Sequence, residues 1–515
     1  MEIQPQTNIK LLRNVPLDTS YDHTIYFANA SLQYQYFFGK RKYTLNNQTY
    51  QRVNKGKARV GFCADDIYDC NYMMFQNTAF GNKWFYAYIK SIEYVNNGTS
   101  EITFEIDPMQ TWMFDFTIDQ CFVEREHPTS DAKFSNLVPE NLELGDYTVV
   151  QSNAFNMNSM GIAMLASKHV DSSGNVTPPS GNVYNNIYTP LELQVALGNT
   201  VQDGQNLTDN YVNNGQEDAI VAMWQFPLKF GMSNPSYEAF SLAPQPSTID
   251  GYTPKNNKLF SYPYSMVVGT NWNGQTAEYR WEQWESGDEG KFWVSGTGMG
   301  EASAIMYPIN YRGKSVDYDS GITFDNFPTV PIVGDAFKAF WAQNQSKIKT
   351  SLGMGVAGVA GTAALIGAGL LTGGAAIAMG AGAIGAGLGA VLGANGKIED
   401  TKRVPPQVAN QGQNPYLAAG MGKLGFELNA LTIRSQFARI IDDYFTKFGY
   451  ATHRVKVPNT HSRPHWNYVK TISATITGSI PADDAKKICQ LLDNGITFWK
   501  NGSEIGNYSL DNRPT

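Results

Sequence analysis

The sequence predicts a mainly β fold with short helices, of the α+β class, carrying a loop-rich middle and one long apolar loop. Three observations lead there. First, Trp84–Val95 is a run of aromatic and β-branched residues. It ends at Asn96-Asn97-Gly98, where Asn and Gly tolerate the positive φ of a hairpin turn, and its return strand alternates cleanly. Ile102, Phe104 and Ile106 occupy one face of that strand; Thr103, Glu105 and Asp107 occupy the other. Second, the chain is rich in aromatics (28 Tyr, 27 Phe and 10 Trp) and only 17% charged, with Asn, Gln, Ser, Thr and Gly between its apolar runs, a balance suited to strands and loops. Third, Thr350–Gly396 runs for 47 residues without a charge, while the remainder reads as an ordinary β-rich chain.

At 515 residues the chain has length for two to four domains. Residues 1–130 read as a β domain. Lys57–Cys63 is a short strand, and Asp65 is placed to cap a helix of about a dozen residues whose face is Ile67, Cys70 and Met74. Pro108 stops the return strand, and Phe116–Glu126 reads as one further strand. Residues 131–330 read as a second β-rich region. Its polar stretches Asp171–Tyr188 and Gly198–Asp218 are expected to be long surface loops, and Ala219–Phe226, Ser265–Gly269 and Phe292–Ser295 strands.

A helix is expected over 331–349, with Phe337, Phe340 and Trp341 on its apolar face; it leads into the apolar stretch at 350–396, and residues 397–422 form a polar tether. Residues 423–515 return to regular structure. Leu424, Phe426, Leu428 and Ala430 share one face of a strand. Ser435 is placed to cap a helix with Phe437, Ile440, Ile441, Tyr444 and Phe448 on its face, and Pro481–Leu492 reads as a last helix.

The apolar stretch holds 15 Gly, 13 Ala and 14 Leu, Ile, Val or Met. It is long enough for two membrane passes of roughly 20 residues each, bending at Thr372-Gly373-Gly374. The residues expected to enter lipid are Leu352, Met354, Val356, Val359, Leu365, Ile366, Leu370, Leu371, Ile377, Met379, Ile384, Leu388, Val391 and Leu392. Gly385, Gly389 and Gly393 form a small-residue row, and Ala357 with Gly361 begins another; such rows bring helix backbones close in lipid. The hinge is Gly373 and Gly374. On an insertion scale the strongly apolar residues sum to only about −4 to −8 kcal/mol over both passes, and glycine costs about 1 kcal/mol per residue against alanine in a helix. A constitutive anchor would be rich in Leu; this composition suits a segment stored and later released. A buried helix pair and a flexible linker are the competing readings.

No catalytic constellation is visible, and no metal or cofactor is expected. His461 and His465 are separated by Pro464, which spoils a helical ligand pair. With Arg454, Lys456, Arg463 and Lys470 they form a basic patch. Asp65, Asp66 and Asp69 lack the calcium-loop pattern. Glu282, Glu285, Asp288 and Glu289 beside Trp281 and Trp284 have the composition of a sugar-cleaving site, with a solvated loop as the plainer reading. Cys63, Cys70, Cys121 and Cys489 show no metal spacing and read as reduced core thiols. A net charge of −7 argues against tight binding to a phosphate backbone. The polar Met1–Thr7 does not read as a secretory leader, so synthesis in a cytoplasm is expected.

Several runs resemble a known family. They are Phe75-Gln76-Asn77, Gly81-Asn82-Lys83-Trp84-Phe85-Tyr86-Ala87, Phe104-Glu105-Ile106-Asp107, Gln110-Thr111-Trp112-Met113-Phe114-Asp115 and Arg125-Glu126-His127. Towards the C-terminus come Gly449-Tyr450, Arg454-Val455, Pro458-Asn459, Asn467-Tyr468-Val469, Asp493-Asn494-Gly495-Ile496-Thr497 and Gly506-Asn507-Tyr508-Ser509. Together they resemble the distal tail tube, or tail knob, proteins of phi29-like short-tailed bacteriophages, over about 10–130 and 330–510 in the same order. No matching run places 131–330.

The resemblance implies tail-tube-like β domains packed as a homo-hexamer around a channel for the viral double-stranded DNA. It implies neighbours in the upstream tail tube or lower collar protein and a tip protein at the distal end. It also implies hydrophobic loops that plug the lumen and then enter the host cytoplasmic membrane as a pore for genome ejection. The resemblance implies no enzymatic activity and a place in the distal tail of the virion. The alternative is a receptor-binding or wall-degrading tail-tip protein.

Overall fold

The computed structural model describes residues 6–48, 56–184, 187–198, 201–232, 236–272, 274–287, 289–298, 303–324, 329–330, 424–463 and 466–510. The fold is mainly β. Two units divide the chain: unit 1 is Met1–Leu142, Lys255–Lys258 and Ile440–Thr515, and unit 2 is Glu143–Pro254 and Leu259–Arg439.

Unit 1 begins with β1 (Thr7–Arg13), β2 (His23–Ile25), α1 (Ala30–Gly39), β3 (Arg41–Gln48), β4 (Lys57–Val60) and α2 (Ala64–Ile67). Then come β5 (Cys70–Asn77), β6 (Trp84–Asn96), β7 (Thr99–Ile106), α3 (Pro108–Trp112), β8 (Phe116–Ile118) and β9 (Cys121–Glu126). Six of the strands form one sheet in the order β3-β1-β5-β6-β7-β4. The β6–β7 hairpin closes with Asn96 paired to Thr99, and Ile102 and Phe104 are buried, as their alternation predicts.

That sheet has a core on each face. Met73 and Phe75 of β5 pack with Ile102 and Phe104, whereas Tyr72 and Met74 pack with Phe37, Tyr86 and Tyr88 on the other side. A strand buried on both faces reads as a continuous apolar run, and this corrects the helix expected after Asp65. Only one turn, Ala64–Ile67, is helical; Cys70 and Met74 lie on β5. The i, i+3, i+7 spacing of Ile67, Cys70 and Met74 gave way to the uninterrupted Tyr72-Met73-Met74-Phe75. The expected strand Phe116–Glu126 is split, with β8 and β9 in different sheets.

Unit 2 contains β10 (Tyr147–Asn156), β11 (Met160–Ala166), β12 (His169–Val170), β13 (Val176–Thr177), β14 (Asn182–Tyr184), β15 (Ile187–Thr189) and β16 (Glu192–Ala196). It continues with α4 (Val201–Asn213), β17 (Ile220–Pro227), β18 (Ser236–Ser241), β19 (Ser265–Thr270) and β20 (Thr276–Tyr279). The last strands are β21 (Lys291–Gly296), β22 (Ala304–Pro308), β23 (Ile322–Phe324), β24 (Thr329–Val330) and β25 (Gly425–Ile433). Three four-stranded sheets result, β10-β25-β19-β20, β16-β11-β17-β24 and β18-β21-β22-β23. Helix α4 replaces the loop expected over Gly198–Asp218. Tyr211 is fully buried on it and packs with Ile162 and Met164 of β11. The few apolar residues among Asn, Gln and Asp concealed the helical period. The expected loop Asp171–Tyr188 carries the small hairpins β12–β13 and β14–β15.

Helix α5 (Ser435–Phe448) begins in unit 2, where the Asp250 carboxylate accepts the Ser435 N–H at 3.0 Å. Asp250 supplies the cap expected of Ser435 itself. The buried residues of α5 are Ala438, Ile441, Asp442, Phe445 and Thr446, and Ile440 and Phe448, expected on its apolar face, are exposed. Unit 1 resumes with β26 (Tyr450–Lys456), β27 (Tyr468–Ile472), β28 (Ile476–Gly478), α6 (Ala482–Asn494) and β29 (Ile496–Trp499). The sheet β2-β29-β27-β9-β26 interleaves strands from both ends of the chain, and β8 pairs with β28. Neither end can complete unit 1 alone.

Candidate functional site

All of the residues expected to enter lipid, from Leu352 to Leu392, and the glycines Gly361, Gly373, Gly374, Gly385, Gly389 and Gly393 lie outside the described residues, as do the expected helix and tether that flank them. Among the described residues no helix is long and apolar enough to cross a membrane. The structure does describe the residues on either side of 331–423. Before it, Thr329 pairs with Trp224 and Val330 with Met223, adding β24 to the edge of the β17 sheet. After it, the Leu424 N–H donates to Oδ1 of Asn158 at 3.0 Å, and the Leu424 carbonyl accepts from the Met157 N–H at 2.7 Å.

Strand β25 then runs between β10 and β19, hydrogen-bonded on both sides. Gly425 adopts φ +140°, and a Cβ there would collide with the Phe155 carbonyl oxygen, so this re-entry requires glycine. Leu424, Phe426, Leu428 and Ala430 are all buried, as the alternation predicts. Backbone ladders therefore secure both flanks of the segment.

The runs that carry the family resemblance meet in unit 1. Glu126 accepts from the Lys456 ammonium and, at 2.9 Å, from the Asn459 N–H. The Arg125 guanidinium donates to Glu140 at 2.6 Å and to the Gly449 carbonyl at 2.7 Å. Glu140 also accepts from Lys258 at 2.5 Å and from the Ala451 N–H at 3.0 Å. Burial pushes the Lys258 ammonium below the usual lysine range, and Glu140 opposes that shift.

His127 is buried. Its Nδ1 accepts the Tyr468 N–H at 2.9 Å, so its proton sits on Nε2, which lies 3.1 Å from the carbonyls of Phe445 and Thr446. Asp442, also buried, accepts from the N–H groups of Lys255 and Asn256 at 2.8 and 3.0 Å. Asp493 accepts from the Thr471 hydroxyl and the Ala474 N–H. Every partner in this network is a structural hydrogen-bonding group, and the arrangement staples distant parts of the chain. Lys258 and Asp442 were missed from the sequence because their partners lie more than a hundred residues away, and Glu140 because two of its three partners, Lys258 and Ala451, do.

Several described members of the groups with catalytic or metal-binding composition have structural partners. Trp281 and Trp284 belong to a buried aromatic cluster with Tyr279, Phe292 and Tyr311. Burial raises the Glu282 carboxyl, which accepts the Tyr262 N–H at 3.3 Å; Glu285 is exposed and Glu289 pairs with Lys291. Asp288 lies outside the described residues. Asp69 pairs with Lys42 at 2.8 Å, and the described residues contain no metal-type cluster of His, Cys, Asp or Glu. His461 stacks on Tyr26 at 4.5 Å, and His465 lies outside the described residues. The four cysteines are free thiols, with Cys70 and Cys121 buried.

The family model for the C-terminal domain of the tail knob protein gp9 of Bacillus phage phi29 matches residues 229–513. The chain belongs to this tail knob family. A second model, for the N-terminus of caudoviral major tail proteins, matches residues 5–117 of the knob protein. The tail knob proteins gp9 of Bacillus phages B103 and phi29 are 26% and 27% identical to it, over alignments covering 98% of each chain. In fold it is similar to the bacteriophage C1 tail knob protein gp12, with TM-score 0.62 and 14% identity over 97% of this chain and 98% of that one. The matched region 229–513 takes in much of the middle of the chain, where no run in the sequence was recognisable. The knob protein is a structural component of a short-tailed virion, at its distal tail.

Proposed function

We propose that six copies of this knob protein form a ring around a channel for the viral double-stranded DNA. In this reading 1–130 and 423–515 supply the tube body and 131–330 the loop-rich middle, joined upstream to the tail tube or lower collar protein and distally to a tip protein. The apolar stretches of 350–396 occupy the lumen before infection. They then enter the host cytoplasmic membrane, with Leu352 to Leu392 facing lipid and Gly385, Gly389 and Gly393 at helix contacts, and form the pore for genome passage.

The observation that carries this reading is an uncharged 47-residue Gly/Ala-rich run inside a segment whose two flanks are separately tied into unit 2. A segment held this way can change its surroundings without breaking the ladders of the body. Six copies would bring up to twelve passes, enough to surround a channel where one hairpin could not. A net charge of −7 per chain repels DNA and eases its sliding.

Dye leakage from liposomes, comparing the full chain with a deletion of Leu352–Gly393 at neutral and mildly acidic pH, tests the pore. Leakage from the full chain alone supports it. Leakage from neither at any pH removes membrane entry and leaves a channel plug.

A further inference from the structure

The sheet β18-β21-β22-β23 of unit 2 presents an aromatic row on its outer face. Along β21, Phe292 and Val294 point into the core, so Lys291, Trp293 and Ser295 point out; along β18, Phe240 is buried while Tyr237 and Ala239 are exposed. Trp293 pairs directly across the strands with Tyr307. The rings follow one another: Tyr237 stacks on Trp293 at 5.0 Å, Trp293 meets Tyr307 edge-on at 6.4 Å, and Tyr307, itself buried, lies 4.4 Å from Tyr318 and links it to Trp293.

Tyr237 remains 65% exposed and Tyr318 58% exposed although each already packs on a neighbouring ring. A ring can be covered on one side and still so accessible only if its other side faces solvent. The Tyr307 and Tyr318 hydroxyls are hydrogen-bonded to each other, with Tyr237 close enough to act on the Tyr307 phenol. Burial pushes that phenol up to about 12, which keeps it neutral. The nearby charges are paired, Lys291 with Glu289 and Lys229 with Glu238. The face thus offers apolar rings and neutral hydroxyls without a cationic track.

We infer that this row is a docking lane for a neutral glycan strand of the bacterial cell wall, whose sugar rings stack on Tyr237, Trp293 and Tyr318 and whose hydroxyls bond to the tyrosine hydroxyls. Sugars present just this pairing, apolar C–H faces rimmed by hydroxyls, and amphipathic rings suit such a partner. A single-stranded nucleic acid would need a basic groove beside the rings, and the paired lysines do not provide one. Of the outward neighbours, Ala239 and Ile305 are apolar, whereas Ser241, Ser295 and Thr323 carry hydroxyls, the Thr323 hydroxyl already bonded to Gln275; apolar ground edged by hydroxyls matches the two kinds of surface a sugar presents.

The test is co-sedimentation of the full-length protein with peptidoglycan sacculi stripped of teichoic acid, with soluble N-acetylglucosamine tetramer as competitor. The full chain should sediment and be released by the competitor. Tyr237→Ala combined with Tyr318→Ala should weaken binding at least about tenfold, and Tyr237→Phe, which keeps the ring, should stay within about twofold of the parent. Tyr94→Ala, at an exposed tyrosine in unit 1, serves as the control and should bind as the parent does. Three results overturn the inference: no sedimentation of the parent, equal sedimentation of the double variant, or a changed oligomeric state of the double variant on a sizing column, which would assign the face to contact between copies. Liposome leakage is read separately, so failure of the glycan lane and failure of the pore are distinguishable.

Discussion

The Tyr468 N–H donates to Nδ1 of His127 at 2.9 Å across 341 residues of sequence. Because Nε2 of the same ring faces the carbonyls of Phe445 and Thr446, one neutral imidazole joins the end of β9 to β27 and to the last turn of α5. Replacing it by a residue without ring nitrogens leaves a buried N–H unpaired. His127→Ala is expected to lower stability by about 2–4 kcal/mol, read as a reduced urea midpoint by tryptophan fluorescence. An unchanged midpoint would mean that water replaces the imidazole.

Gly449 sits beside that staple with φ +64°, and a Cβ there would run into the backbone of Glu126 and lie 2.6 Å from the backbone nitrogen of His127. Both the left-handed conformation and the contact oppose a side chain. Gly449→Ala should cost about 2–4 kcal/mol. Gly215→Ala, at a similar φ of +66° but with open space around it, should cost less. Equal melting temperatures for the two variants would count against the clash.

Glu101 accepts from Lys57 at 2.7 Å and from Arg59 at 3.1 Å, and these hydrogen bonds, Lys57's first, hold its carboxyl below the usual glutamate range. A depressed folded-state pKa contributes stability that is present above the unfolded value and lost as pH falls through the folded one. Glu101→Gln should therefore melt below the parent at neutral pH, with the gap closing as pH drops below 4.5. A gap that persists in acid would assign the loss to packing.

Lysine within the apolar run should oppose lipid entry while sparing the body. Each Lys near a helix centre costs about 2.5–3.5 kcal/mol of insertion free energy, so Gly385→Lys with Gly389→Lys should abolish liposome leakage and leave the melting curve unchanged. Undiminished leakage would dispose of the small-residue helix contact.

Deleting Leu352–Gly393 should leave the assembly intact on a sizing column, because β24 and β25 are tied into unit 2 by their own ladders. Loss of the assembled species would make the stretch part of the core.

Local chemistry explains which elements were legible. The β6–β7 hairpin could be read because its turn residues and its alternation agree, and β25 because Leu424, Phe426, Leu428 and Ala430 alternate on a single buried face. The helix expected after Asp65 failed because β5 is buried on both faces, which erases period 2. Helix α4 was hidden because, among its described residues, only Leu207 and Tyr211, one turn apart, pack it on the core, too few to show a period among its Asn, Gln and Asp. The aromatic row of Tyr237, Trp293, Tyr307 and Tyr318 left no sequence signal, since its members come from three strands and a turn.

Membership of the tail knob family and the uncharged run at 350–396 followed from the sequence alone, since both are contiguous patterns of residue type. Only the tertiary structure decided that Arg125, Glu126 and His127 are staples, that β24 and β25 anchor the apolar segment, and that Trp281 and Trp284 are core. Each of these depends on which backbone and side-chain groups lie within about 3–4 Å after folding. Contacts between residues hundreds of positions apart leave no periodicity along the chain.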